Sequence, residues 1–141
     1  MLGFLRKKTR KAVVEVKKME NRDAVEATVW GGYYISYFDG ECTAEEVSIL
    51  EKAIQATPAF TPFASEIAQL STNVRQQFEA SARRAAAQAL RELGDIAGTS
   101  DAVDVLCLCI DIADQDGIGE LEEKALRKIA QALQLTLDPY L

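Results

Sequence analysis

The chain has 141 residues, 48% of them hydrophobic, a formal charge of −6 and no histidine. That length makes one domain, able to bury roughly two-thirds of its unfolded surface unaided. The missing histidine removes the commonest general base and metal ligand, and the acidic balance disfavours nucleic acid. No apolar run nears the ~20 residues of a membrane span, and the N-terminus lacks the apolar core of a signal peptide.

The charge is divided unevenly. Residues 1–22 hold Arg6, Lys7, Lys8, Arg10, Lys11, Lys17, Lys18 and Arg22 against Glu15 and Glu20, leaving +6 there and −12 over the rest. Leu2, Phe4, Leu5, Val13, Val16 and Met19 interrupt the basic residues as a loose helical stripe. We read residues 1–22 as a basic arm and 23–141 as a helical domain. Asn21 can cap the next helix, which carries Trp30, Tyr33, Tyr34, Tyr37 and Phe38 along one broad side. Gly31-Gly32 marks a place where another helix backbone comes close. That helix stops at Asp39-Gly40.

Thr43-Ala44-Glu45-Glu46 is a capping box that opens a helix through Val47, Leu50, Ala53 and Ile54. Thr61-Pro62 starts another, with threonine as cap. From Ile67 helical periodicity runs almost unbroken to Gly94, as one helix or as two parted near Ser71-Thr72-Asn73. A helix with Val103, Leu106, Cys107 and Ile110 follows, and a last one with Leu121, Ala125, Leu126, Ile129, Ala130 and Leu133. No strand pattern occurs. The expected fold is an all-α, single-domain bundle of about seven helices. Cys107 and Cys109 point to different helix faces, so with Cys42 they suggest neither a disulfide nor a zinc pair, and a reducing cytoplasm fits.

The stretch Asp114–Glu123 looks like a calcium loop but fits no EF-hand register. With Gly117 at loop position 6, position 1 is Ile112; with Gly119 there, position 5 is Ile118 and position 12 is Ala125. A repeat accounts for it better. Asp39-Gly40 with Glu45-Glu46 and Asp116-Gly117 with Glu122-Glu123 have one spacing, 77 residues apart. Extended outward, this alignment pairs Ile35 with Ile112, Ser36 with Ala113, Ile49 with Leu126 and Ala53 with Ala130. Two related helix-turn-helix halves are expected.

Ala113-Asp114-Gln115-Asp116-Gly117 through Glu122-Glu123 to Leu126-Arg127-Lys128-Ile129-Ala130 resembles the tellurite-resistance TerB family and its TerB-like superfamily. Members carry there an Ala-x-x-Asp-Gly turn, acidic residues and a similar helix. Asp39-Gly40 with Glu45-Glu46 is similar to the family's N-terminal turn, though Ser36 and Tyr37-Phe38 stand where small residues are usual. The resemblance covers most of the chain, but residues 57–98 match only in helical character. It implies a non-enzymatic accessory protein of tellurite resistance, phage resistance or another stress response, with acidic residues proposed to bind metal.

Each feature has two readings. Asp39 and Asp116 end helices, and glutamates favour the first turn of the next one through the helix dipole. Equally, Asp39, Glu45, Glu46, Asp114, Asp116, Glu120, Glu122 and Glu123 form a set of hard oxygen ligands suited to weakly bound calcium or magnesium. The aromatic side of the second helix reads as core. Arg6, Lys7, Lys8, Arg10, Lys11, Lys17 and Lys18 read as a solvated extension, or as an amphipathic helix for an anionic membrane surface or an acidic partner. No nucleophile, phosphate loop or cofactor motif accompanies the carboxylates. The expected function is therefore a cytoplasmic, TerB-like, metal-linked stress protein with protein partners and no small-molecule substrate. The alternative is a metal-free adaptor tethered by its basic arm.

Overall fold

Six α-helices, two short 3-10 segments and no strand make up the described residues, 22–115 and 117–141, of this computed structural model. The first helix, α1 (residues 22–36), is followed by α2 (Ala44–Gln55), a 3-10 segment (Pro58–Phe63), α3 (Ala64–Ala80) and α4 (Ala82–Gly94). Then come α5 (Asp101–Ala113), α6 (Glu120–Ala132) and a second 3-10 segment (Asp138–Tyr140). The seventh expected helix, the basic arm, lies outside the described residues, as does the Asn21 cap.

The bundle is built around α1. Every residue from Ala27 to Ile35 is buried, because α1 is apolar on all sides and a helix of that kind needs cover on all sides. Trp30 meets Phe78 of α3 at 6.1 Å between ring centroids. Tyr33 hydrogen-bonds Ser71 of α3, whose hydroxyl donates to Glu51 of α2 at 2.9 Å. The expected close approach at Gly31-Gly32 is real, but side chains make it rather than a backbone. A Cβ on Gly31 would lie 2.9 Å from Cys109 Sγ of α5, and one on Gly32 would collide with Leu50 of α2. Thr28 is the polar exception in the helix interior, and its hydroxyl donates to Ala24 O at 2.7 Å.

Two helix boundaries differ from the sequence expectation. Thr61 does not cap a helix: it lies within the 3-10 segment, whose Phe60 and Phe63 are buried, and α3 begins at Ala64. The long periodic stretch does break in two, but at Ser81, which is extended (φ −160°, ψ 97°), and not at 71–73. Ser71 stays inside α3 because its hydroxyl is used in the core by Tyr33 and Glu51. At the far end, Arg127 of α6 spans Glu123 (3.0 Å) and Asp138 (3.1 Å), which holds the final 3-10 segment against α6.

Candidate functional site: a cleft between two turns

The two Asp-Gly turns close by similar local rules. After α1, Tyr37 N–H donates to Tyr33 O and Gly40 N–H to Tyr37 O, each at 2.9 Å. Gly40 then takes φ +102°, a conformation that favours glycine. Asp39 Oδ1 accepts the Glu41 amide at 3.1 Å, holding the loop. After α5, Asp114 N–H donates to Ile110 O at 2.9 Å, and Gly117 takes φ +89°.

The helices that follow start differently. Thr43 caps α2, with Glu46 N–H donating to its hydroxyl at 3.1 Å and that hydroxyl donating to Glu46 Oε1 at 3.2 Å. Gly119 occupies the same place before α6 and has no side chain to offer. There the Glu122 carboxylate folds back, filling the space a Cβ on Gly119 would take.

Past the turns the two halves are out of the expected register by one residue. Two residues, Glu41 and Cys42, separate Gly40 from the cap Thr43, whereas only Ile118 separates Gly117 from Gly119. The second turn is one residue shorter, and one residue rotates a helix face by about 100°. Ile49 therefore does not correspond to Leu126: Ile49 is 38% exposed and Leu126 is fully buried. The partner of Leu126 in the burial pattern is Leu50, that of Ala130 is Ile54, and Glu46 corresponds to Glu122. Upstream of the turn the expected register holds. Val25 and Ala102, Thr28 and Val105, Val29 and Leu106, and Tyr33 and Ile110 are buried pairwise.

Both turns open onto one cleft of about 570 Å³. Ile35, Phe38, Ile49, Leu50, Ile112 and Leu121 give it an apolar floor and walls; Asp39, Glu45, Glu46 and Glu122 supply carboxylates. The lining is itself paired: Ile35 with Ile112, Ser36 with Ala113, Phe38 with Gln115, Glu45 with Leu121 and Glu46 with Glu122. Contacts of α2 with α5 hold the halves side by side. Lys128 Nζ of α6, 5.9 Å from the Phe38 ring centroid, ties the second half to the first turn.

The eight acidic residues named from the sequence thus separate. Asp39, Glu45, Glu46 and Glu122 share the cleft. Asp114 and Glu120 are exposed and do not line it, and Glu123 turns to Arg127. Asp116 lies outside the described residues, as do the basic positions from Arg6 to Lys18. Among the described residues no three Asp, Glu, Cys or His side chains converge closely enough to hold an ion.

The apolar wall was not legible as part of a site: Ile49 and Leu121 are among the few large apolar side chains left exposed, and their off-register spacing against Leu50 and Leu126 was the available signal. Cys42 stands next to the first turn but does not line the cleft. It is half-buried, and burial, then the nearby Glu46 carboxylate, push its thiol up to about 11. It is protonated at neutral pH and a poor nucleophile. Comparison with protein-family models, with curated proteins and with solved structures gives no match to this chain. No helix among the described residues is long and apolar enough to cross a membrane.

Proposed function

We propose that the chain is a non-enzymatic, TerB-like accessory protein of tellurite resistance or a related metal-linked stress response, and that the cleft between its turns is its binding surface. The TerB-like part rests on the resemblance of residues 113–130 alone; the binding surface is supported by one observation, that two turns far apart in sequence place corresponding residues around a single cleft. Capping alone would explain the glutamates at each helix start, but not their convergence on a shared apolar floor. Concave, largely apolar surfaces with a few polar groups are where proteins take ligands.

The lining favours a cationic, partly apolar segment of a partner protein. Carboxylates on the rim would meet its basic groups, and Ile49 and Leu121 its apolar ones. A second reading is a divalent cation at the rim: Glu45, Glu46 and Glu122 line the same cleft without converging as a ready-made site, and a cation would relieve the repulsion among them.

A thermal-shift comparison separates the two. A ligand at about 100 times its dissociation constant adds ~2.7 kcal/mol to stability. The probes are calcium, magnesium and a synthetic peptide alternating lysine with leucine at helical spacing. The partner reading expects the peptide to stabilise the wild type and not E45Q/E46Q/E122Q, with E123Q unaffected. The cation reading expects calcium or magnesium to do so with the same dependence. Stabilisation by none of them, or equal stabilisation of the triple variant, refutes the cleft as the binding surface.

A further inference from the structure

The cleft asks for a chain segment that is basic and apolar at once, and this protein carries one. Residues 2–11 hold Leu2, Phe4 and Leu5 beside Arg6, Lys7, Lys8, Arg10 and Lys11, with no acidic residue among them. We propose that this part of the arm docks in the cleft of its own molecule, so that the protein covers its own binding surface until a competing ligand displaces the arm. The proposal rests on the cleft being the binding surface and names its resident occupant.

Three observations support it. The first is charge: the arm through residue 22 is +6 and the rest of the chain −12, with Asp39, Glu45, Glu46 and Glu122 gathered on the cleft. The second is apolar complementarity. Ile49 and Leu121 both line the cleft and remain 38% and 48% exposed, and taking apolar side chains of that size out of water is favourable.

The third is reach. The cleft lies at the end of α1 where Ile35 stands, so from Arg22 the chain must travel back along a helix of about 21 Å. The stretch from residue 21 to residue 11 spans up to about 33 Å when extended, enough to bring residues 2–11 to the cleft. Tethering also selects this occupant over an identical segment from another molecule. A short tether presents its segment at roughly millimolar effective concentration, far above a micromolar protein solution.

The test uses the full chain. Trypsin cleavage after Arg6, Lys7, Lys8, Arg10 and Lys11 reports whether the arm is held. For a segment affinity near 0.1 mM, a millimolar effective concentration slows cleavage about 10-fold. Wild-type arm cleavage at low salt should therefore be about 10-fold slower than in E45Q/E46Q/E122Q, and 0.5 M NaCl should bring the wild type to the same rate. Methyl NMR gives a second reading: Ile49 and Leu121 should shift on K7Q/K8Q/R10Q/K11Q substitution, while buried Leu133 stays in place.

Equal cleavage in wild type and triple variant, with unmoved methyls, overturns the proposal. Methyl shifts that grow with protein concentration overturn it in favour of docking between two molecules. Adding the lysine-leucine peptide separates this failure from failure of the cleft itself. If the peptide binds wild type and the arm-neutralised variant equally, the cleft stands and its occupant is not the arm. Tighter binding to the arm-neutralised variant, by about the same 10-fold, is the expected result.

Discussion

Replacing Gly32 by alanine should destabilise the protein, and shrinking Leu50 should reverse the sign. A Cβ at Gly32 would overlap the Leu50 side chain, which is 1% exposed and packs between α1 and the cleft floor. Overpacking of this kind costs about 1–3 kcal/mol. Against it stands the gain of about 1 kcal/mol from exchanging glycine for alanine inside a helix. G32A alone should therefore lose between roughly 0 and 2 kcal/mol. L50A alone leaves a cavity and should cost about 2–5 kcal/mol. In the double variant the new methyl group enters that cavity, so adding G32A to L50A should gain about 1 kcal/mol or more through helix propensity. Urea denaturation of the four proteins closes the cycle. Additivity within about 0.5 kcal/mol, the range seen for sites that do not touch, would refute the claim that Gly32 exists to admit Leu50. Leu50 also lines the cleft, so displacing it by G32A should weaken binding of the lysine-leucine peptide.

Three further outcomes follow from residues already described. G40A and G117A should each cost about 1–2 kcal/mol in chemical denaturation, because both glycines have positive φ with open space around them, so backbone strain acts alone. Stability should be level with respect to Tyr33 below pH 10 and fall as pH rises toward 12. Burial raises the folded phenol to about 12 from 10, so the folded state keeps the proton that the unfolded chain releases; the loss is on the order of 2 kcal/mol, and Y33F should remove that part of the slope in alkaline urea titrations. At pH 8 a thiol reagent should leave Cys109 unlabelled until the protein unfolds, since the residue is fully buried and its thiol is pushed up to about 12; mass spectrometry of native and denatured samples reads this directly.

Elements that announce themselves locally were legible from the residues. The Thr43 cap depends on one hydroxyl and one amide three positions on, and the structure forms that bond. The helical class followed from periodicity, and the burial of Trp30, Tyr33 and Tyr34 from their spacing. What failed was decided at a distance. Ser81 breaks a run of good helix formers, and nothing in its immediate neighbours marks it more strongly than Ser71-Thr72-Asn73; the difference is that Ser71 finds Tyr33, 38 residues away, as its partner. Both acidic turns were legible, but their register was not. Matching glycines and glutamates concealed a turn shorter by one residue, and that residue decides that Glu122 enters the cleft while Glu123 meets Arg127.

The enclosure of α1 has a consequence for how the chain is made. The helix that forms the centre is the earliest of the described elements to be synthesised, yet Gly31 packs against Cys109, 78 residues later in the chain. At about 5–20 residues per second, roughly 4–16 s pass between the two. Throughout that interval Val25, Val29, Trp30, Tyr33 and Tyr34 belong to a nascent segment whose permanent neighbours do not all exist. Transiently exposed apolar surface of that kind promotes aggregation, so a slow or paused ribosome between residues 36 and 109 should lower the yield of folded protein.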